Sequence, residues 1–368
     1  MEIRTELTHS LKFQHPIIQA PLAGGGDTPE LVAAVCNAGC LGFIGAAYLA
    51  PEKIAQAAAT VRVKTQRPFG INLFAPLPNA NLPPNPERAL QRLAPFFSEL
   101  NLPPPALPES PHNSFSDQLS ACLEIGASVF SFTFGVLPVD AMTAIKQRGM
   151  FVMGTATTVE EGVLLEKAGV DAVVAQGSEA GGHRGTFQTD FSSGMIGTMA
   201  LVPQMVDAVS VPVIASGGIM DGRGVAAALT LGAAAVQMGT AFLTCEEAGV
   251  PDVYKQAILN AHEDKTRITR AFSGRPARGI ANRLMTSIES DSDGEILPFP
   301  YQNAVTRPLR TAAAKQGRAE FLSLWAGQGV RLAKRLPAAE LLARIVAETD
   351  QAIASVVHQQ RFCGSTGS

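Results

Sequence analysis

His183 stands in Glu179-Ala180-Gly181-Gly182-His183-Arg184-Gly185, just after an apolar run that ends at Ala175. Histidine is the side chain whose ordinary pKa permits proton transfer near neutrality. In a glycine-flanked turn at the end of a buried strand it reads as a catalytic or substrate-orienting group. The plainer alternative is a surface residue. Arg184 could hold an anion or support the loop, and Glu179 could orient a neighbour or pair with Arg184. Asn72 and Gln176 are amides at the ends of two apolar runs, Gln176 directly after the run that ends at Ala175. Their mixed donors and acceptors suit a planar heterocycle such as an isoalloxazine, or else they satisfy loop backbone.

A second chemistry lies in the stretch 211–242, VPVIASGGIMDGRGVAAALTLGAAAVQMGTAF. Two apolar runs each end in a turn, Ser216-Gly217-Gly218 and Gly239-Thr240. Glycines let the backbone approach an anion and present free N–H groups to it. Two such turns, one strand–helix unit apart, read as a phosphate cradle; otherwise they are only tight connections. Asp221 suits a helix cap, and Gly232 suits a helix end.

These residues need a scaffold that gathers strand ends. Short apolar runs recur at 16–20, 41–45, 69–74, 128–132, 151–154, 172–175, 211–215 and 234–238. Most are followed by a helical pattern, as at 29–38, 51–63, 139–148 and 158–168. Thr158 and Glu161 have capping-box spacing. Buried strands alternating with helices argue a parallel sheet, and eight such units close a (β/α)8 TIM barrel. In that fold reactive groups sit at the C-terminal strand ends, and the phosphate site follows strands seven and eight.

Two segments stand outside the alternation. Residues 75–113 form a proline-rich insertion with one amphipathic helix at about 87–100, either a functional lid or a tolerated excursion. The expected division is a barrel over 1–245 and a C-terminal helical segment over 246–368, packed on the barrel. Helices are expected at 251–261, 312–333 and 337–357, with a polar loop at 273–305 and no strands. Trp325 is the one tryptophan, a docking anchor or a border of the active site.

The 368 residues carry a net charge of −3, so no basic excess invites nucleic acid. No apolar run reaches membrane-spanning length, and the first residues do not read as a signal peptide. The five cysteines (Cys36, Cys40, Cys122, Cys245, Cys363) are an odd, unclustered set, consistent with reduced thiols and a cytoplasmic location. The other histidines (His9, His15, His112, His262, His358) do not pair at metal-ligand spacing, so no metal is expected.

Taken together, Ile18-Gln19-Ala20-Pro21, Asn72, Ser131-Phe132-Thr133-Phe134-Gly135, the run from Ala175 through Gly185, Gly217-Gly218-Ile219 and Gln237-Met238-Gly239-Thr240 resemble the nitronate monooxygenases, formerly called 2-nitropropane dioxygenases, of the class I bacterial type. The likeness extends to Ser273 through Gly279 and to Trp325-Ala326-Gly327-Gln328-Gly329. It implies a flavin mononucleotide (FMN) barrel. The implied reaction oxidises alkyl nitronates, such as propionate 3-nitronate, with O2 to a carbonyl compound and nitrite, through an anionic flavin semiquinone. It also implies a detoxifying role and a monomer or homodimer.

Carried over by position, the phosphate lies on the backbone of Gly217, Gly218, Gly239 and Thr240. Asn72 and Gln176 touch the flavin, and Ala20, Pro21, Leu22, Gly181, Gln237 and Met238 complete its site. His183 becomes the catalytic histidine. Leu22 stands where the family usually has methionine, a nearly volume-conserving change, and the region of Tyr301, Asn303 and Arg307 matches loosely. The competing enzyme reading is an NAD(P)H-dependent flavin reductase, an enoyl-thioester or quinone reductase on the same barrel. A flavin-binding module without turnover is the non-enzyme reading.

Overall fold

In a computed structural model, the described residues are 3–77, 80–108, 114–289 and 296–363, with side chains described as far as 356. His112 and parts of the segments 75–113 and 273–305 fall outside them, as do the side chains of His358 and Cys363.

Eight short strands form one parallel sheet: β1 (Ile17–Gln19), β2 (Phe43–Gly45), β3 (Gly70–Phe74), β4 (Val129–Thr133), β5 (Phe151–Ala156), β6 (Ala172–Gln176), β8 (Val213–Ser216) and β9 (Ala235–Met238). A two-residue strand, β7 (Gly182–His183), lies outside it. The sheet order is β1-β9-β8-β6-β5-β4-β3-β2. The ring closes through a parallel bridge between Ile18 and Leu41, where Gln19 N–H meets the Leu41 carbonyl at 2.9 Å. The fold is a (β/α)8 TIM barrel.

Successive side chains on a strand point to opposite faces. Ile17, Phe130, Val152, Val173 and Val213 face the surrounding helices. Their neighbours Ile18, Val129, Met153, Val174 and Ile214 fill the barrel interior, with Leu7, Leu11 and Phe13 of the N-terminal segment. The helix Glu6–Leu11, which the sequence reading leaves out, thus packs its apolar face into that interior core. The cavity that holds the strand-end residues lies at the C-terminal end of the barrel.

The outer helices begin where local chemistry says they should. Thr28 accepts from Leu31 N–H at 3.0 Å ahead of Pro29–Asn37, and the Asp221 carboxylate caps Gly222–Thr230. Thr158 caps Val159–Lys167 through Glu161 N–H at 3.2 Å, but the expected capping box is only half formed. The Glu161 carboxylate turns away and takes N–H bonds from Thr157, Phe187 and Gln188. The long helix Ala338–Cys363 crosses Gly222–Thr230 so closely that a Cβ on Gly222 would collide with the Thr349 backbone.

The chain beyond the barrel departs from its sequence reading. Strands β10 (Thr266–Thr269) and β11 (Ala277–Ile280) pair antiparallel, and β7 joins them, with His183 opposite Ala277. Much of the expected loop is therefore ordered, as β11 and the helix Arg283–Glu289. A helix runs over Tyr301–Lys315 and stops at Gln316, before Gly317 in the left-handed region (φ 68°). Short 3₁₀ turns follow in place of a helix to residue 333.

A second apolar cluster joins Leu93, Phe96 and Phe97, from the insertion helix Pro86–Glu99, to Phe272, Leu309 and Phe321. Glu99 pairs with Arg283 (2.9 Å) and Arg318 (2.6 Å). Among its described residues, the insertion helix does not line the cavity at the barrel mouth. It buttresses the segment that does.

Candidate active site

A cavity of about 890 Å³ opens at the C-terminal end of the barrel. The strand alternation that buries Ile71, Phe130, Ala175 and Val236 outward turns Asn72, Phe74, Ser131, Thr133, Thr155, Gln176, Ser216 and Gln237 into it. Ala20, Pro21, Leu22, Gly181, His183, Gly217, Gly218, Gly239 and Thr240 also line it. Met238 does not. Its side chain is 1% exposed and sits in the layer between barrel and helices, one residue out of phase with Gln237. Only its backbone reaches the rim, where its carbonyl accepts from Ala20 N–H at 2.8 Å.

The glycine turns have room for an anion. Gly217 (φ 118°) and Gly218 (φ 71°) hold backbone conformations that disfavour a side chain, and a Cβ on Gly217 would lie 2.8 Å from Thr198 Oγ1. A Cβ on Gly239 would meet nothing nearer than Ala20 and Leu22 at 3.7 Å. Asn72 Nδ2 donates to Ser131 Oγ at 2.9 Å. Thr240 Oγ1 accepts from Gly327 N–H at 2.9 Å, which ties the C-terminal segment to the second turn.

The loop carrying His183 is over-determined. Gln176 clasps it from within, donating Nε2 to the His183 carbonyl (3.0 Å) and accepting Gly185 N–H on Oε1 (2.8 Å). Arg184 supports the loop rather than a ligand in the main cavity. It is 1% exposed and donates to the carbonyls of Gly177 (2.6 Å) and Gly194 (2.9 Å). Glu179 accepts Thr198 N–H and Oγ1–H at 2.9 Å and so caps the next helix.

The His183 ring lies among Trp325, Phe134, Phe299 and Phe74, at centroid distances of 5.6, 5.8, 6.1 and 6.3 Å. Trp325 therefore borders the site, and its carbonyl also takes the Tyr254 hydroxyl at 2.9 Å. His183 Nε2 is buried without a hydrogen-bond partner among the described residues. Burial, reinforced by the positive charges of Arg275 and Arg310, pushes the His183 pKa down to about 3. The imidazole is thus neutral at physiological pH, not poised to titrate there as its ordinary pKa suggests. A neutral ring offers one donor and one acceptor.

Another part of the wall is cationic. Arg307, Arg310 and Lys315 line the cavity, and no Asp or Glu does so among the described residues. Asn303 holds Arg310 through its carbonyl (2.9 Å) and Oδ1 (2.8 Å), while Arg310 Nε is buried without a partner. Arg307 lies over the Tyr48 ring at 5.4 Å. The Tyr48 hydroxyl is also buried and unpartnered, and burial pushes its pKa up to about 12, so it stays a donor. Neither Tyr48 nor Arg310 stands out in the sequence. Both come from outside the glycine turns, and only the fold brings Tyr301–Lys315 over the barrel.

Asp27 is a further residue that the sequence reading passes over. Its Oδ2 accepts Leu22 N–H (2.7 Å) and Gly45 N–H (2.6 Å), pinning the loop that leads from Pro21 through Gly26. Burial outweighs these bonds and pushes its pKa up to about 7.

The catalytic end of the TIM barrel thus joins a glycine cradle, a neutral histidine with a buried Nε2 and, among the described residues, an arginine wall without carboxylates, which makes an electropositive pocket. Comparison with known proteins makes this specific. The nitronate monooxygenase family model matches residues 4–348. The chain is 42% identical to a Staphylococcus saprophyticus protein named "Probable nitronate monooxygenase", over 95% of this chain and 99% of that one. Among solved structures, nitroalkane oxidase from Streptomyces ansochromogenes is 40% identical with a TM-score of 0.88, covering 95% and 99% of the two chains. FabK from Thermotoga maritima is 30% identical with a TM-score of 0.77, covering 97% and 99%. The chain belongs to the nitronate monooxygenase family, a family of flavin-dependent oxidoreductases.

Proposed function

We propose that this chain binds FMN at the barrel mouth and uses O2 to oxidise alkyl nitronates, propionate 3-nitronate among them, to a carbonyl compound and nitrite. The observation that carries this reading is the carboxylate-free cavity in which unpartnered His183, Tyr48 and Arg310 groups converge beside the glycine cradle. The cradle fits a phosphate, and the cavity is at the upper end of the usual range for small-molecule sites, ample for a mononucleotide with a small substrate. Gly217, Gly218, Gly239 and Thr240 would hold the phosphate, with Asn72, Gly181 and Gln237 along the ring system. Gln176 would act chiefly by shaping the His183 loop. Bound flavin supplies electron acceptance and the reaction with O2.

The protein's own residues have separate tasks. Neutral His183 meets the nitro oxygens of a nitronate with its N–H, or takes the α-proton of a neutral nitroalkane on its bare nitrogen. The aromatic rings around it exclude water, so each polar contact gains strength. Arg310, Arg307 and the Tyr48 hydroxyl attract the anion, and suit a carboxylate at the far end of propionate 3-nitronate. A cytoplasmic location belongs to the same reading, supported by the free buried thiols of Cys36, Cys40, Cys122 and Cys245. No helix among the described residues is long and apolar enough to cross a membrane.

Aerobic incubation with propionate 3-nitronate, followed by nitrite determination and chromatography of the released cofactor, tests the proposal. Nitrite formation with FMN recovered is expected. Absence of nitrite, with flavin instead bleached by NADH or NADPH, would transfer the chain to the reductase reading.

A further inference from the structure

A second cavity, of about 290 Å³, lies behind the wall of the first. Phe299 lines it and rests against Phe74, Phe134 and His183, which line the main cavity. The two spaces are thus separated by aromatic rings. The small cavity is lined by Arg184, Arg270 and Arg275, with Thr186, Phe191, Gly274, Pro276 and Phe299, and no Asp or Glu is among these residues.

Three guanidinium groups around one space repel each other unless something negative lies between them. Two of the three cannot swing into water. Arg184 is 1% exposed, three of its bonds run to carbonyls, and its Nε is buried without a partner. Arg275 is stacked on Phe134 at 3.8 Å and donates to the Thr186 carbonyl at 2.8 Å. Burial pushes the pKa of each down to about 10, still well above neutrality. The acid that both feel, Glu161, already accepts from three backbone N–H groups and the Thr157 hydroxyl. The mechanism proposed above does not use this cavity, and of these charges it draws only on Arg275, which helps to keep His183 neutral.

We infer that this second cavity is a binding site for a small planar oxyanion, of the nitrate or carboxylate kind, held by Arg184, Arg270 and Arg275. Planar oxyanions match the forked donors of arginine. Arg270 supplies the solvent-side arm: it is exposed, and its Nε donates to the Gly274 carbonyl at 3.2 Å, which leaves its terminal nitrogens for the anion. The site also has an electrostatic line to the main cavity, because the Arg275 charge reaches His183 through Phe134. An anion bound behind the wall offsets that charge.

Nitrate is the probe. Calorimetric titration of the flavin-loaded enzyme at constant ionic strength should give saturable binding, and Arg270→Gln should weaken it about tenfold or more, as expected for losing a charged hydrogen bond. A crystal of the wild-type enzyme grown with nitrate should show density among the three arginines, which decides the matter even if the variant folds poorly. Absence of saturation at millimolar nitrate overturns the proposal. So does binding indifferent to Arg270→Gln, or density only beside Arg307 and Arg310. Density at crystal concentrations without binding in solution would mean an adventitious ion only, and would equally overturn it.

Discussion

Replacing Asp27 with asparagine tests how the loop beneath the cavity is held. In the folded protein the Asp27 carboxyl is protonated up to about pH 7, whereas in the unfolded chain it ionises near 3.8. The folded state therefore binds the extra proton between these values, and stability falls as pH rises through that window. Above pH 7 the full cost of a buried carboxylate is present, on the order of 4 kcal/mol from the two pKa values. The amide introduced by Asp27→Asn would keep an oxygen for the Leu22 and Gly45 N–H groups but could not ionise. The assay is urea unfolding of both proteins, followed by circular dichroism at acidic and mildly alkaline pH. Between about pH 5 and pH 8 the wild type should lose roughly 2.5 kcal/mol relative to Asp27→Asn, by the same linkage. His183 has the same surroundings in both proteins, so its contribution cancels in the comparison. A stability difference independent of pH would refute the reasoning, and would mean that the two N–H bonds hold Asp27 ionised in the folded state.

Two further outcomes follow from the main cavity. His183→Asn should retain flavin yet lose about 100-fold or more in nitronate turnover, the usual scale for a positioned acid–base or orienting group; turnover within a few-fold of wild type would remove His183 from the chemistry. Gly217→Leu forces a side chain onto a backbone at φ 118° and against Thr198, so the purified variant should come out with little or no flavin. Full flavin content in a folded variant would count against the cradle.

The barrel was legible because its strands are short, apolar and regularly punctuated. Buried parallel strands need continuous hydrophobic runs, and glycine or a capping residue marks where each ends. Strand parity also places Asn72, Gln176 and Gln237 inward and Met238 outward, once the strand ends are known. Phe74, Ser131, Thr133 and Thr155 follow from the same parity. The segment after the barrel was not legible in this way. Strands β10 and β11 are short, they pair with each other, and β11 also takes the edge that β7 and the loop carrying His183 offer. Such strands carry little local signal.

The amino-acid sequence alone determined the eight-fold alternation, the glycine turns and the family, since these depend on residue types close together in the chain. The tertiary structure alone decided what surrounds His183. It brought Tyr48, Arg310 and Trp325 from distant segments to one cavity, set Phe299 behind its wall, and packed the histidine ring against Phe299 and Trp325. A pKa is set by the dielectric and the charges around a group in space, not by its neighbours in sequence. Hence a histidine that reads as a neutral-pH acid–base group in the sequence is, in the folded barrel, an uncharged ring facing an arginine wall.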